Sequence, residues 1–208
     1  MLLTGFCSAL VFSAWACSSS GGDASSSTAA LSPPTIEATL PAPTFEVPPI
    51  GAATTYQGKG FAIDYPKNWK VTEKSSDCKL DVCIAAPSQA GQVPAIITVS
   101  VYYGYGDDYD SPENLQTAWN QIRQFELTST GVDPKTIPDS QGDTTLAGLP
   151  AKTATYTLDW GLIPATASQT MAIRGKGPAY IVTVMSATDI WGDVQPVADD
   201  ALASFTLT

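Results

Sequence analysis

Apolar and polar side chains alternate along a stretch that starts near residue 60, which is the pattern of a half-buried β-strand. Phe61, Ile63 and Tyr65 are the apolar positions of this run. Pro66 follows them and cannot donate to a central strand ladder, so the predicted strand ends there. Trp69 comes directly after the turn, and we expect its large ring to close one end of a hydrophobic core.

Later parts of the chain show the same alternation or β-branched runs, and they predict further strands. These strands are expected at residues 82–84, 95–103, 151–159, 169–174, 179–185 and 205–207. A polar connection is expected at residues 131–148. The late strands follow each other with little chain between them, which favours antiparallel pairing.

Two stretches instead repeat apolar residues every three or four positions, the period of an amphipathic helix. The first is predicted to be capped by Ser111, with Pro112 at its first position. Its apolar face comprises Leu115, Ala118, Trp119, Ile122 and Phe125. The second covers residues 194–202 and takes Asp189 or Asp193 as its cap. Because strands outnumber helices, the sequence predicts an α+β domain in which helices cover an antiparallel β-sheet.

The first residues have the composition of an export signal. Residues 2–16 are apolar but too few to span a bilayer permanently, so residues 1–16 are predicted to be a signal peptide. Cys17 opens directly into a Ser/Gly-rich run, as the lipid-modified (palmitate-bearing) cysteine of a lipoprotein does. The alternative is ordinary cleavage after Ala16, because Ala14 stands where a lipobox usually has leucine. Either outcome exports the protein.

Residues 17–58 are dominated by small residues and proline. Such a segment cannot bury enough apolar surface to offset the entropy of ordering it, so we expect a disordered tether. A coil of this length reaches on the order of 35 Å, and its prolines extend it further. The folded domain is predicted to occupy residues 59–208.

The charge balance and the missing histidine exclude several classes of function. The chain of 208 residues has a net charge of −10 and contains no His. An acidic chain without a basic patch argues against nucleic acid as a partner. Without His there is no Ser-His or Cys-His pair, and no phosphate loop or dinucleotide fingerprint is present. Two carboxylates could still meet in space and catalyse hydrolysis, which is an alternative to the non-enzymatic protein that we expect.

Cys78 and Cys83 are the cysteines of the predicted domain. In an exported protein, two cysteines this close are expected to form a disulfide bond. A thiol redox centre is the alternative, but the spacing is not Cys-x-x-Cys and no His is present to activate a thiolate. Two cysteines without His also make a poor zinc site.

A dense acidic cluster follows the strongest predicted strand. Asp107, Asp108 and Asp110 could supply the converging oxygens that Ca²⁺ requires, and no other cofactor is expected. Their spacing is not that of an EF-hand, and the alternative is a solvated loop that leads into a helix N-terminus. Tyr105 and Tyr109 lie in the same loop and are candidates for contact with a protein or a sugar.

Two tryptophans are further candidates for ligand binding. Trp160 and Trp191 are each followed by Gly and could line a groove between sheet and helix. The alternative is that both belong to the core or its rim, where a large aromatic ring is most often buried.

Four motifs occur in an order that points to a known family. They are Phe-x-Ile-x-Tyr-Pro-x-x-Trp-x-Val at 61–71, Leu-Ala-Gly-Leu-Pro-Ala at 146–151, Tyr-Ile-Val-Thr-Val at 180–184 and Ser-Phe at 204–205. The chain thereby resembles the PsbP superfamily, which includes cyanobacterial PsbP-like lipoproteins, Ran-binding Mog proteins and other bacterial lipoproteins. The resemblance covers about residues 58–208 and implies a PsbP-like α/β/α sandwich. It implies fold more than activity, because one fold serves many functions.

The resemblance leads to two functional hypotheses besides carboxylate catalysis. The first is a lipid-anchored, non-enzymatic accessory or assembly protein of a membrane complex, which in a cyanobacterium would be photosystem II. The family's metal-ligand histidines have no counterpart here. The second is a cell-envelope lipoprotein that binds a small molecule or a glycan in a groove between sheet and helix. In both, the protein is expected to be a monomer held through Cys17 at the outer face of the cytoplasmic membrane, with the lumenal side of a thylakoid membrane or an outer membrane as alternatives.

Overall fold

Two antiparallel sheets and two α-helices make up the part of the chain that the computed structural model describes, which is residues 44–48, 50–103, 112–129, 138–160 and 163–208. The strands are β1 (Ala53–Gln57), β2 (Phe61–Pro66), β3 (Lys70–Glu73), β4 (Val82–Ala85), β5 (Ala95–Tyr102), β6 (Ser140–Leu146), β7 (Leu149–Trp160), β8 (Ile163–Ile173), β9 (Ala179–Ala187) and β10 (Thr206–Leu207). The helices are α1 (Pro112–Ser129) and α2 (Trp191–Ser204), and a single 3-10 turn (Thr188–Ile190) leads into α2.

The larger sheet has seven strands in the order β3-β4-β5-β9-β8-β7-β6, and every neighbouring pair is antiparallel. Its central pairing joins β5 to β9, which are far apart in sequence. The smaller sheet has the order β1-β2-β10, so the last strand of the chain pairs beside the first motif. The arrangement confirms the predicted α+β class with an antiparallel sheet covered by helices.

The larger sheet buries both of its faces, each against one helix. On β5, Ile97 and Val99 point into a core that also contains the buried face of α2. Ile96 and Tyr102 point the other way, into a core formed with α1. This alternation along one strand puts the two helices on opposite faces of the sheet, which gives a helix–sheet–helix sandwich.

Phe61 connects the smaller sheet to the larger one. Its ring stacks on Phe205 at a centroid distance of 5.6 Å and meets the edge of Tyr180 on β9 at 6.4 Å. Tyr56 on β1 approaches from another side at 5.9 Å. Phe61 is 2% exposed. The first motif was predicted to form a half-buried strand, but its first aromatic residue, Phe61, lies in a buried aromatic cluster.

The folded part begins earlier than the predicted boundary between residues 58 and 59. β1 lies inside the range assigned to the tether and pairs with β2 along its whole length. Phe45 is buried in the core, and the side-chain amide of Gln89 both accepts a hydrogen bond from Glu46 N and donates one to Glu46 O. Composition alone missed β1 because its residues are mostly small or polar, and it missed the Glu46 contacts because Gln89 is distant in sequence. Residues 1–43, which include the predicted signal peptide (1–16) and most of the predicted tether, lie outside the described residues.

β6 was not predicted, because its residues are polar and were assigned to a connection. Six of its seven residues are exposed, since it is an edge strand. It turns into β7 through Ala147 and Gly148, which both have positive φ, at 51° and 76°. A two-residue hairpin turn with this geometry matches the twist of the flanking strands.

Two smaller expectations also change, and a third is met. Phe125, predicted on the buried face of α1, is 60% exposed and packs edge-on against Tyr102. The residue that caps α2 is Ile190, without a side-chain hydrogen bond, so neither predicted aspartate is the cap. Trp69 is buried at 3% exposure as expected, but its indole N–H has no acceptor among the described residues.

Candidate functional site

A cleft of about 380 Å³ opens between the edge of the smaller sheet and strands β3 to β5 of the larger one. Its aromatic and charged lining consists of Tyr56, Lys59, Glu73, Lys74, Asp81 and Tyr103. The buried ring of Phe61 and the side chain of Val101 form its apolar part. Clefts of this size with a few convergent polar groups are the usual sites of small-ligand binding.

The turn between β1 and β2 places Lys59 at the mouth of the cleft. Gly58 N donates to Phe61 O at 2.9 Å, which closes the turn. Gly60 has a φ of +87°, and a Cβ there would lie 2.9 Å from Tyr180 Oη, so this position requires glycine. The turn directs the Lys59 ammonium over the ring of Tyr103, with Nζ 5.7 Å from the ring centroid.

Asp81 is the best-positioned carboxylate of the cleft. Its Oδ2 accepts a hydrogen bond from Val101 N at 2.7 Å, and its carbonyl oxygen accepts one from Lys74 N at 3.1 Å. Asp81 also lies within the short loop that the Cys78–Cys83 disulfide closes. Backbone and covalent constraints therefore hold this carboxylate beside β5.

Tyr56 and Glu73 join the two sheets across the cleft. Tyr56 Oη donates to Glu73 Oε1 at 3.1 Å. The pKa of Tyr56 is raised, first by burial and then by the nearby carboxylates of Glu73 and Asp81. The phenol thus stays protonated and keeps donating to Glu73.

A buried acid lies across the sheet from the cleft. Glu126 on α1 is 2% exposed, and its Oε1 accepts a hydrogen bond from Tyr102 Oη at 2.6 Å. Burial raises the pKa of Glu126, the charge of Asp81 adds to this, and hydrogen bonds from Tyr102 and Ser100 oppose it. Burial and the Glu126 charge raise the pKa of Tyr102 as well. Sequence reasoning missed Glu126, although it stands four residues after Ile122 on the apolar face of the helix.

The two tryptophans predicted to line one groove lie on opposite faces of the larger sheet. Trp160 is half-buried at the end of β7 and packs against the core on the α1 side. Trp191 is half-buried at the start of α2 and packs against the other core. The fold therefore does not bring them together.

The other predicted site residues lie outside the described residues. They are Cys17, Tyr105, Asp107, Asp108, Tyr109 and Asp110. Lipidation and calcium binding at these positions stay predictions. Within the described ranges, no three acidic or cysteine side chains are grouped as metal ligands would be.

The predicted disulfide is confirmed. Cys78 and Cys83 are joined with a Cα–Cα separation of 5.9 Å, and Cys78 is buried. Structural disulfides persist mainly in oxidising compartments, so the bond points to an extracytoplasmic domain. In the described part of the chain, no helix has the length and apolar character needed to cross a bilayer.

Comparison with solved structures identifies the fold. The solution structure of cyanobacterial PsbP (CyanoP) from Synechocystis sp. PCC 6803 superposes with a TM-score of 0.55 at 13% identity, covering 81% of this chain and 99% of that one. The crystal structure of LpqN, involved in cell envelope biogenesis of Mycobacterium tuberculosis, gives a TM-score of 0.52 at 17% identity, covering 76% and 91%. No family model and no curated protein matches the sequence.

The class of the domain follows from these comparisons: it is a PsbP-like α/β/α sandwich. Both structures are matched over nearly their whole length, so the likeness covers the complete domain and not one supersecondary unit. The resemblance that the four sequence motifs implied is therefore confirmed at the level of fold.

Proposed function

We propose that this protein is an exported, lipid-anchored and non-enzymatic accessory protein of a membrane complex in the cell envelope. The observation that carries the proposal is a disulfide-bonded PsbP-like domain preceded by a predicted signal peptide and tether. A domain of this fold in LpqN belongs to a protein involved in cell envelope biogenesis. The predicted lipid on Cys17 would keep the domain at the membrane surface.

The contacts of the cleft support binding rather than catalysis. Its two carboxylates are engaged in structural hydrogen bonds, Asp81 with the backbone of Val101 and Glu73 with Tyr56. A general acid or base needs a group that exchanges a proton with the substrate near neutral pH. Carboxylates that hold the scaffold together are better suited to orienting a bound partner.

Affinity purification from native membranes tests the accessory role. We expect tagged full-length protein, extracted gently, to bring along the subunits of one membrane complex, identified by mass spectrometry. A Cys17→Ala variant, which cannot be lipidated, should recover much less of that complex. Recovery of no complex by the full-length protein would refute the accessory role.

Metabolic labelling tests the anchor separately. A palmitate analogue should label the full-length protein and leave Cys17→Ala unlabelled. If the wild-type protein stays unlabelled and appears outside the membrane fraction, ordinary signal cleavage replaces lipidation, while the accessory role still depends on the co-purification result.

A further inference from the structure

We propose that the cleft between the two sheets binds a short, uncharged saccharide. The inference goes beyond the accessory role, because it assigns a ligand class to a site that the accessory role does not require. It is carried by three features of the described residues: balanced charge, an exposed aromatic platform and a rigid frame.

The charges of the cleft favour an uncharged ligand. Two lysines, Lys59 and Lys74, are matched by two carboxylates, Glu73 and Asp81. A phosphate or a polyanion would need an excess of positive charge, and a metal cation would need an excess of carboxylates. Sugar hydroxyls both donate and accept hydrogen bonds, so they can use ammonium donors and carboxylate acceptors at the same site.

Tyr103 supplies an aromatic platform. It is 61% exposed, and it directly follows the last residue of β5. Lys59 lies over the ring and contributes a donor next to it. The flat apolar face of a pyranose can pack against the face of this ring that Lys59 does not cover, while its hydroxyls reach the polar groups beside it.

The frame of the cleft is held in place before any ligand binds. The Cys78–Cys83 loop and the hydrogen bond to Val101 N position Asp81, while Tyr56 holds Glu73. Carboxylates can accept several hydrogen bonds, so one structural bond each leaves acceptor capacity for a ligand. Preorganised polar groups reduce the entropy lost on binding.

Titration of the purified full-length protein with defined oligosaccharides tests the proposal. The probes are chitotetraose, cellotetraose and maltotetraose, with inorganic phosphate as the charged comparison, and binding is followed by isothermal titration calorimetry and NMR. We expect saturable binding of at least one oligosaccharide and none of phosphate. Absence of binding by all three sugars, or binding of phosphate alone, would overturn the proposal.

Variants at the platform locate the site. Tyr103→Ala should weaken saccharide binding about tenfold or more, the effect of losing roughly 1.4 kcal/mol of stacking. Tyr103→Phe keeps the ring and should bind within about threefold of wild type. Phe125→Ala removes another exposed aromatic ring, on α1, and should leave binding unchanged. Equal binding by Tyr103→Ala and wild type would exclude the cleft.

The outcome of the saccharide titration can be distinguished from the outcome of the co-purification that tests the accessory role. Tyr103 is exposed at a strand end, so Tyr103→Ala should retain the wild-type melting temperature. Saccharide binding that fails while a membrane complex still co-purifies overturns only the ligand assignment. Saccharide binding that succeeds without any co-purified complex supports the cleft and refutes the accessory role.

Discussion

Truncation of Phe61 tests whether its aromatic ring holds the smaller sheet against the larger one. Phe61 is 2% exposed and contacts the rings of Tyr56, Tyr180 and Phe205 at centroid distances of 5.9, 6.4 and 5.6 Å. Removing a buried Phe side chain costs about 3–5 kcal/mol through lost burial and the cavity left behind. Each aromatic pair adds about 0.5–1.5 kcal/mol, so Phe61→Ala should lie at the upper end of that range.

Urea unfolding followed by tryptophan fluorescence measures this change, because the midpoint shifts with the free energy of unfolding. Phe125→Ala is the matched control, since this ring is 60% exposed and its loss should cost about 1 kcal/mol or less. A Phe61→Leu variant keeps most of the apolar volume and should fall between the two. A loss below about 1 kcal/mol for Phe61→Ala would refute the role of the ring.

Three other changes have expected outcomes that chemical or thermal unfolding can measure. Cys78→Ser together with Cys83→Ser should lower the free energy of unfolding by about 2 kcal/mol, because the disulfide closes a short loop. Glu126→Gln should remove the part of the pH dependence of stability that lies above the ordinary glutamate pKa of 4.5, because the pKa of Glu126 is raised in the fold. Ala147→Asn should raise the free energy of unfolding by about 0.5–1 kcal/mol, because Asn tolerates the positive φ at this turn position better than Ala.

The sign of the Glu126 effect follows from its raised pKa. The folded state holds the proton more tightly than the unfolded state, so this contribution to stability is fully present below the ordinary pKa of 4.5. It is lost as the pH rises through the raised folded pKa, when the buried carboxylate must ionise. A Glu126→Gln variant with the same pH dependence as wild type would contradict the assignment. Unchanged stability after loss of the disulfide would contradict the stabilising effect of the closed loop. Destabilisation by Ala147→Asn would contradict the effect assigned to the positive φ at this position.

Much of the domain could be predicted from local patterns. The β-branched run of β5 and the alternation at Phe61 and Ile63 were identified because a buried strand face requires apolar residues at a period of two. The disulfide was predictable because Cys78 and Cys83 are close in sequence and the first residues have the composition of an export signal. Local signals of this kind need no knowledge of distant partners.

Other features could not be predicted because no pattern in their own residues indicates them. β6 is polar and reads as a loop, but it is a strand because β7 offers it an edge with unpaired backbone groups. Phe45 lies in a Pro-rich stretch, yet its ring is buried because it packs into the hydrophobic core. Trp160 and Trp191 share a sequence context, yet the sheet separates them onto opposite faces.

The sequence by itself determined the class of the fold, the disulfide and the expectation of export, because each depends on residue type and spacing along the chain. The cleft was decided only by the tertiary structure. Tyr56, Asp81 and Tyr103 come from three different segments, and no pattern along the chain relates them. They meet because Phe61 packs the smaller sheet against β9 and because the disulfide loop directs Asp81 toward β5.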